Sequence, residues 1–371
     1  MLNTEDDSSD KRSAVNRARR LRKIGSKLPP PYPNGWFAIA TSKEIMRGKA
    51  KNIECLGEHF VVFRASNSNE VFVLDAYCPH MGANLGVGGI VKNNCVECPF
   101  HQWRFNGDNG ELVNIPYSEN LSEVEKFAKI RKWISTEVNG IIFVWYHAEN
   151  EQPWILPTVD EVNDGSWVYH GANEFTINCH IQDIPENGAD RAHLTTVHGT
   201  NIAAGMDVCK SRESIFSFGT HIWDAKWAVN DDLKHQSIIK LTHVFNVLSF
   251  KLLKIDSDIR QIGPAFVILT IKTIFGNAVI FQTLTPLEPL VQKLSHYFYA
   301  PWYLAWFVKF LIWGETVNVG RDVMIWNSKE FIKNPLLPKE EKQIKLFRNW
   351  FSQFYSENSK SFQDAHQSLD W

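Results

Sequence analysis

Two short pairs of metal-ligating residues dominate the first half of the chain: Cys78-Pro79-His80 and, further on, Cys98-Pro99-Phe100-His101. A Cys-x-His pair on one tight loop and a Cys-x-x-His pair on another can converge on one metal centre with two thiolates and two imidazoles. That demand restricts the surrounding fold to a small module that holds both loops in register. The neighbouring sequence supplies one. HFVVF at 59–63, VFVLD at 71–75 and IIFVWY at 141–146 are short apolar runs separated by turn residues, Asn139-Gly140 among them, which is the pattern of an all-β unit. Zinc accepts the same donor set, although a one-residue Cys-x-His gap is short for a zinc knuckle.

A second cluster lies in IQDIPENGADRAHLTTVHGT, with Asn187, Asp190, His193 and His198. Asp190 and His193 lie three apart, on one face of a helical turn. His198 follows five residues after His193, about 140° round an ideal helix. The two imidazoles can therefore share a metal only if the helix distorts or ends between them, which Thr195, Thr196 and Gly199 favour. Two neutral imidazoles and a carboxylate on one side of an iron leave positions open opposite, the 2-His-1-carboxylate arrangement. Taken alone, the same residues also fit a polar helix bearing two hydrogen-bonded histidines. Later carboxylates that could join them are Glu315, Asp322 and Glu330.

With 371 residues the chain can build two domains, and a net charge of -2 gives no basic field for nucleic acid. Six cysteines without a secretory-type apolar leader read as reduced thiols and metal ligands; Cys55, Cys95, Cys179 and Cys209 are expected in the core. Residues 1–34 are expected to be a basic tail and a Pro/Gly-rich linker, 35–150 the first domain and 151–371 the second. The basic positions from Lys11 to Lys27 suit either a solvated tail or a segment favouring anionic lipid. IIKLTHVFNVL, PAFVILTIKTIF and NAVIFQTLTP predict one broad antiparallel sheet, and the last fifty residues predict helices packed on it. The stretch HYFYAPWYLAWFVKFLIW at 296–313 is interrupted by Pro301 and Lys309, so it suits a buried hairpin or helix, or an aromatic surface at a bilayer interface, better than a transmembrane span.

CPHMGANL and CPFHQWRF, followed by Asp-x-x-His-x4-His, resemble the Rieske-type non-haem iron oxygenases. PYPNGWF, LDAYCPHMGANLGVGG, CVECPFHQWRF, IPENGADRAHL, TPLEPLVQK and FSQFYSEN are similar to the Neverland-type cholesterol 7-desaturases in particular. Gln102, where such loops more often have Gly, and Cys95 depart from the usual pattern without removing a ligand. The resemblance implies an α+β chain, with an N-terminal all-β Rieske domain and a C-terminal helix-grip, START-like catalytic domain. It implies a [2Fe-2S] cluster on Cys78, His80, Cys98 and His101, and a mononuclear Fe(II) on His193, His198 and Asp322. Asp190 would be a bridge between centres in a head-to-tail homotrimer. Electrons would come from NAD(P)H through a separate ferredoxin or reductase, since no nucleotide-binding glycine fingerprint is present. The implied reaction desaturates cholesterol at the 7,8 position with oxygen, in steroid hormone synthesis, at an intracellular membrane such as the endoplasmic reticulum. A sterol or 3-ketosteroid hydroxylase is the alternative with the same site. An electron-transfer ferredoxin would stop near residue 150, and a lipid carrier would not need His193, His198 and Asp322.

Overall fold

The computed structural model describes residues 28–119, 127–214, 219–247 and 250–367. The basic segment ending at Lys27 lies outside them. Two compact units divide the chain: Trp36–Tyr146 with Gln152–Val159, and Asp160 onward with His147–Glu151 and the segment up to Gly35. The stretch read as a linker is thus packed into the second unit. Tyr32 is buried, Asn34 donates from its main-chain and side-chain nitrogens to the Phe354 carbonyl and Ser356 Oγ at 2.7 and 3.0 Å, and His180 Nε2 lies 3.3 Å from the Pro30 carbonyl.

The first unit is all β, as its alternating short runs require. Its strands are β1 (Gly35–Thr41), β2 (Ala50–Cys55), β3 (Glu58–Arg64), β4 (Val71–Asp75), β5 (Ile90–Lys92), β6 (Cys95–Glu97), β7 (Arg104–Asn106), β8 (Leu112–Asn114), β9 (Ser135–Val138) and β10 (Ile141–Tyr146). They form three small sheets, ordered β1-β10-β9, β2-β3-β4 and β5-β6-β7-β8. Asn139 and Gly140 both take positive φ, 54° and 76°, and close the β9–β10 hairpin as an Asn-Gly turn should. Val61, Phe63, Phe72, Leu74, Leu85 and Phe105 form a core that also contains Cys78 and Cys98.

The second unit is built on seven antiparallel strands: β11 (Val168–Ile177), β12 (Gly219–Val229), β13 (Gln236–Val247), β14 (Phe250–Ile262), β15 (Phe266–Thr273), β16 (Gly276–Glu288) and β17 (Val291–Ala300). Their order is β11-β17-β16-β15-β14-β13-β12. The helices, among the described residues, are α1 (Asp160–Asn163), α2 (Asp183–Glu186), α3 (Arg191–Val197), α4 (Val208–Arg212), α5 (Ala305–Trp326), α6 (Lys342–Phe351) and α7 (Phe362–Gln367). Because β11 and β12 lie at opposite edges, the chain joining them carries α2, α3 and α4 across the sheet. The α5 helix lays Val308 against Ile280, Phe298 and Ala300, removing apolar surface from water on both sides.

The apolar stretch at 296–313 divides at Pro301: its start completes β17 and its end begins α5. Phe307 and Val308 are buried, whereas Trp302, Trp306, Phe310 and Trp313 are 75%, 59%, 46% and 46% exposed. The stretch thus combines core packing with an exposed aromatic surface. No helix among the described residues is long and apolar enough to cross a membrane.

Candidate metal centres

The two cysteine loops of the first unit share one backbone pattern. Gly82 N–H donates to the Cys78 carbonyl and Cys78 N–H to the Ala83 carbonyl, both at 2.9 Å. Gln102 N–H donates to the Cys98 carbonyl at 3.1 Å and Cys98 N–H to the Trp103 carbonyl at 2.8 Å. The residue that turns each loop is left-handed, Gly82 at φ 72° and Gln102 at φ 59°. The departure noted at Gln102 is therefore a side chain where the geometry favours glycine.

The loops bring their cysteine and histidine side chains together. His80 and His101 have ring centroids 4.6 Å apart, with His80 stacked on Trp103 at 4.4 Å and 6°. Both cysteines are buried, while His80 is exposed beside Met81 and Phe100. Burial pushes the Cys78 thiol up to about 11; the His80 main chain opposes this and the nearby Cys98 adds to it. Two adjacent buried thiols under two outward imidazoles match the donor set of a Rieske cluster. Cys95 lies on β6, with its Sγ 3.4 Å from Asn94 Oδ1, and Cys55 and Cys179 are buried as expected. Cys209, expected in the core, is instead exposed on α4.

In the second unit His193, His198 and Asp322 offer ligand atoms that all lie within 4.8 Å of one another. Asp190 caps α3: its Oδ1 accepts from the main-chain N–H groups of Ala192 and His193 at 3.0 and 3.2 Å. Its carbonyl oxygen lies 2.6 Å from His193 Nδ1, which orients that ring, and its Oδ2 lies 4.0 Å from the same nitrogen. The angular difficulty posed by His198 is resolved because α3 stops at Val197 and His198 is its C-cap, φ -105°. A side chain at Gly199 would place Cβ 2.2 Å from the Thr195 carbonyl oxygen, so only glycine allows this ending. His198 Nε2 then lies 3.2 Å from Asp322 Oδ1, and the ring centroids of His193 and His198 are 5.2 Å apart. Burial holds the His193 pKa below its ordinary value, with Asp322 opposing, which favours the neutral imidazole, the form able to bind a metal. These donors suit a 2-His-1-carboxylate iron.

A cavity adjoins the three residues, walled by Leu194, Ile239, Leu241, Ile259, Leu269 and Trp326, among others. Glu315, the first of the alternative carboxylates, also faces this cavity but is not grouped with the two histidines. Burial lifts its pKa to about 7; His198 opposes this and Asp322 adds to it. Glu330 lies beyond the end of α5 and does not line the cavity.

Some supporting residues carry no sequence signal. Arg321, fully buried, donates to the carbonyls of Gly205, Val197, Thr200 and Asn201 at 2.9–3.2 Å. It thereby clips the segment after His198 onto the helix that bears Asp322. Trp223 donates its indole N–H to the His198 carbonyl at 3.1 Å and stacks on His243, whose Nε2 is 2.6 Å from His221 Nδ1.

Comparison with known proteins matches residues 35–128 to the Rieske [2Fe-2S] domain and residues 144–355 to the 3-ketosteroid 9alpha-hydroxylase C-terminal domain. The chain is 49% identical to a cholesterol 7-desaturase of Drosophila melanogaster, covering 97% of this chain and 84% of that one. It is 45% identical to one of Ciona intestinalis, covering 96% and 76%. In fold it is similar to NdmA of Pseudomonas putida CBB5 solved with caffeine, at a TM-score of 0.64 and 16% identity, covering 91% of this chain and 94% of that one. Two cysteine–histidine loops in an N-terminal β unit, a histidine–carboxylate triad in the unit that follows, and this extent of identity lead to one conclusion: the chain belongs to the Rieske oxygenases, in the cholesterol 7-desaturase family.

Proposed function

We propose that this protein desaturates cholesterol at the 7,8 position to 7-dehydrocholesterol, using oxygen and electrons passed from NAD(P)H by a separate reductase. The observation that carries the reading is the convergence of His193, His198 and Asp322 at the wall of an apolar cavity in a chain of this family. Cys78, His80, Cys98 and His101 would hold the cluster in a domain ending near residue 150, and the triad would hold the mononuclear iron in the domain after it. When bound, the cluster supplies single electrons and the mononuclear iron the centre at which oxygen is reduced.

The chain's own residues do the rest. The cavity's aliphatic side chains keep water from the sterol, and the Asp190 carbonyl favours the Nδ1–H tautomer of His193 by accepting a hydrogen bond from it. Asp190 Oδ2, which does not take part in the helix cap, is the oxygen suited to bridge toward a cluster histidine of a neighbouring copy. Exposed His80, with Met81 and Phe100 65% and 60% exposed beside it, gives such a neighbour or a reductase an apolar surface to meet, consistent with a homotrimer. The exposed aromatic residues of α5 fit contact with an intracellular membrane from which a sterol could be drawn, such as that of the endoplasmic reticulum.

A sterol or 3-ketosteroid hydroxylase is the second reading, favoured by the match over 144–355. Mass spectrometry separates the two after cholesterol is incubated with the holoenzyme, oxygen, NAD(P)H and a ferredoxin–reductase pair. A product lighter by two hydrogens supports desaturation, and one heavier by an oxygen overturns it in favour of hydroxylation. His193→Ala should keep the cluster's visible absorbance and abolish turnover, whereas Cys98→Ser should lose the absorbance. Turnover surviving in either variant contradicts the corresponding ligand set.

A further inference from the structure

One row of paired residues crosses the cavity side of the sheet and is polar at four of its five positions, whereas the next row is apolar. Asn173 on β11 pairs with His296 on β17, His296 with Gln282 on β16, Gln282 with Val267 on β15, and Val267 with Gln261 on β14. Paired residues present their side chains to one face. Two positions away the corresponding row reads Phe298, Ile280, Leu269 and Ile259. Gln261, Gln282 and His296 all line the cavity beside the iron-site triad.

His296 is the centre of this row. It is 1% exposed, with Nδ1 2.8 Å from Asn173 Oδ1 and Nε2 3.1 Å from Gln282 Oε1. Glu315 faces it from α5, but its Oε1 is 3.7 Å from His296 Nε2, beyond a hydrogen bond. Asn318, one turn further along α5, has a buried Oδ1 with no hydrogen-bond partner, and it lines the same cavity. An unsatisfied buried polar group costs about 1–3 kcal/mol. That orphaned amide oxygen, with the Glu315 carboxyl on the same wall of an aliphatic space, fits a ligand that is apolar along its length and polar at one point.

We infer that Glu315, backed by His296 and Gln282, hydrogen-bonds the 3-hydroxyl of the sterol and so selects which carbon lies against His193, His198 and Asp322. The inference rests on the sterol reading given above. Glu315 and Asp322 are two turns apart on α5, about 10 Å along its axis, so the helix spaces hydroxyl recognition from reaction. A carboxyl in either protonation state can accept a hydrogen bond from a hydroxyl. The remaining polarity of an otherwise apolar cavity is thereby given one task, orientation of the ligand.

The test is anaerobic equilibrium binding to the holoenzyme of cholesterol and of cholest-5-ene, which lacks only the hydroxyl. The wild type should bind cholesterol roughly tenfold or more tighter, since a site built around a hydroxyl penalises its loss. Glu315→Leu should bring the two affinities to within about threefold of each other by weakening cholesterol alone, and Glu315→Gln should keep most of the preference. Equal binding of both ligands by the wild type, or an undiminished preference in Glu315→Leu with its cluster absorbance intact, overturns the inference while leaving the sterol reading standing. Failure of the wild type to bind or convert either ligand overturns both.

Discussion

Gln102 carries a side chain through a left-handed turn that its twin loop entrusts to Gly82. Relief of that strain should make Gln102→Gly more stable by about 1 kcal/mol, less what glycine gives back through the freedom of the unfolded chain. A melting curve followed at the cluster's absorbance reads this directly, and a lowered midpoint would show that the Gln102 side chain contributes more than its backbone loses. Buried imidazoles govern the response to acid. Burial lowers His296 to about 3 and His243 to about 4 from an ordinary 6.5, so both are neutral when folded. Below pH 6.5 the unfolded chain binds protons that the folded chain refuses, and stability falls with pH by up to about 1.4 kcal/mol per unit for each such histidine. Above pH 7 these groups add no slope. Denaturation of the wild type between pH 7 and 4.5 should show the decline, and His243→Phe should flatten it; parallel curves would contradict the assignment.

At the scale of the element, α5 combines a triad residue, the carboxyl inferred to read the hydroxyl, the buried clip and an aromatic outer stripe. Arg321→Leu would strand the carbonyls of Val197, Thr200, Asn201 and Gly205, a loss of about 3 kcal/mol or more. Its iron content should drop by the mononuclear ion with the cluster's spectrum retained, and Arg321→Lys should recover part of it. Iron content equal to wild type in Arg321→Leu would mean that the segment after His198 holds its place unaided. On the outer face, replacing both Trp306 and Phe310 by Glu should reduce co-sedimentation with lipid vesicles while preserving turnover of detergent-solubilised sterol. Unchanged sedimentation would assign the stripe to another partner. None of the support from Arg321, Trp223 or the His221–His243 pair was legible in the sequence. Their partners are main-chain carbonyls or residues on another strand, and neither leaves a spacing to read. The triad was partly legible: His193 and His198 stand in a spacing that needed a helix end, and Gly199 marked it. Asp322 could be chosen from Glu315 and Glu330 only by resemblance, because it reaches the histidines through the fold.

For the whole molecule, the sheet was the easiest feature to foresee, since long alternating runs in β13, β15 and β16 have few other ways to bury one face. The packing of Tyr32 and Asn34 into the second unit was not, because a run of prolines and glycine reads as punctuation whatever it lies against. A homotrimer should appear in light scattering at three times the mass of the 42.7 kDa chain, and a monomeric holoenzyme with full activity would remove the need for a neighbouring cluster. The seven-stranded sheet also sets an order in time. The strands from β12 to β17 pair each with the next as they emerge, but β11 pairs with β17, and Asp322 comes later still. The residues proposed to hold the cluster are all translated by residue 101, long before those proposed for the mononuclear centre are complete. A chain emerging from the ribosome therefore acquires the means to hold electrons before the means to spend them on oxygen, and a prematurely ended product lacking α5 has no complete site at which to do so.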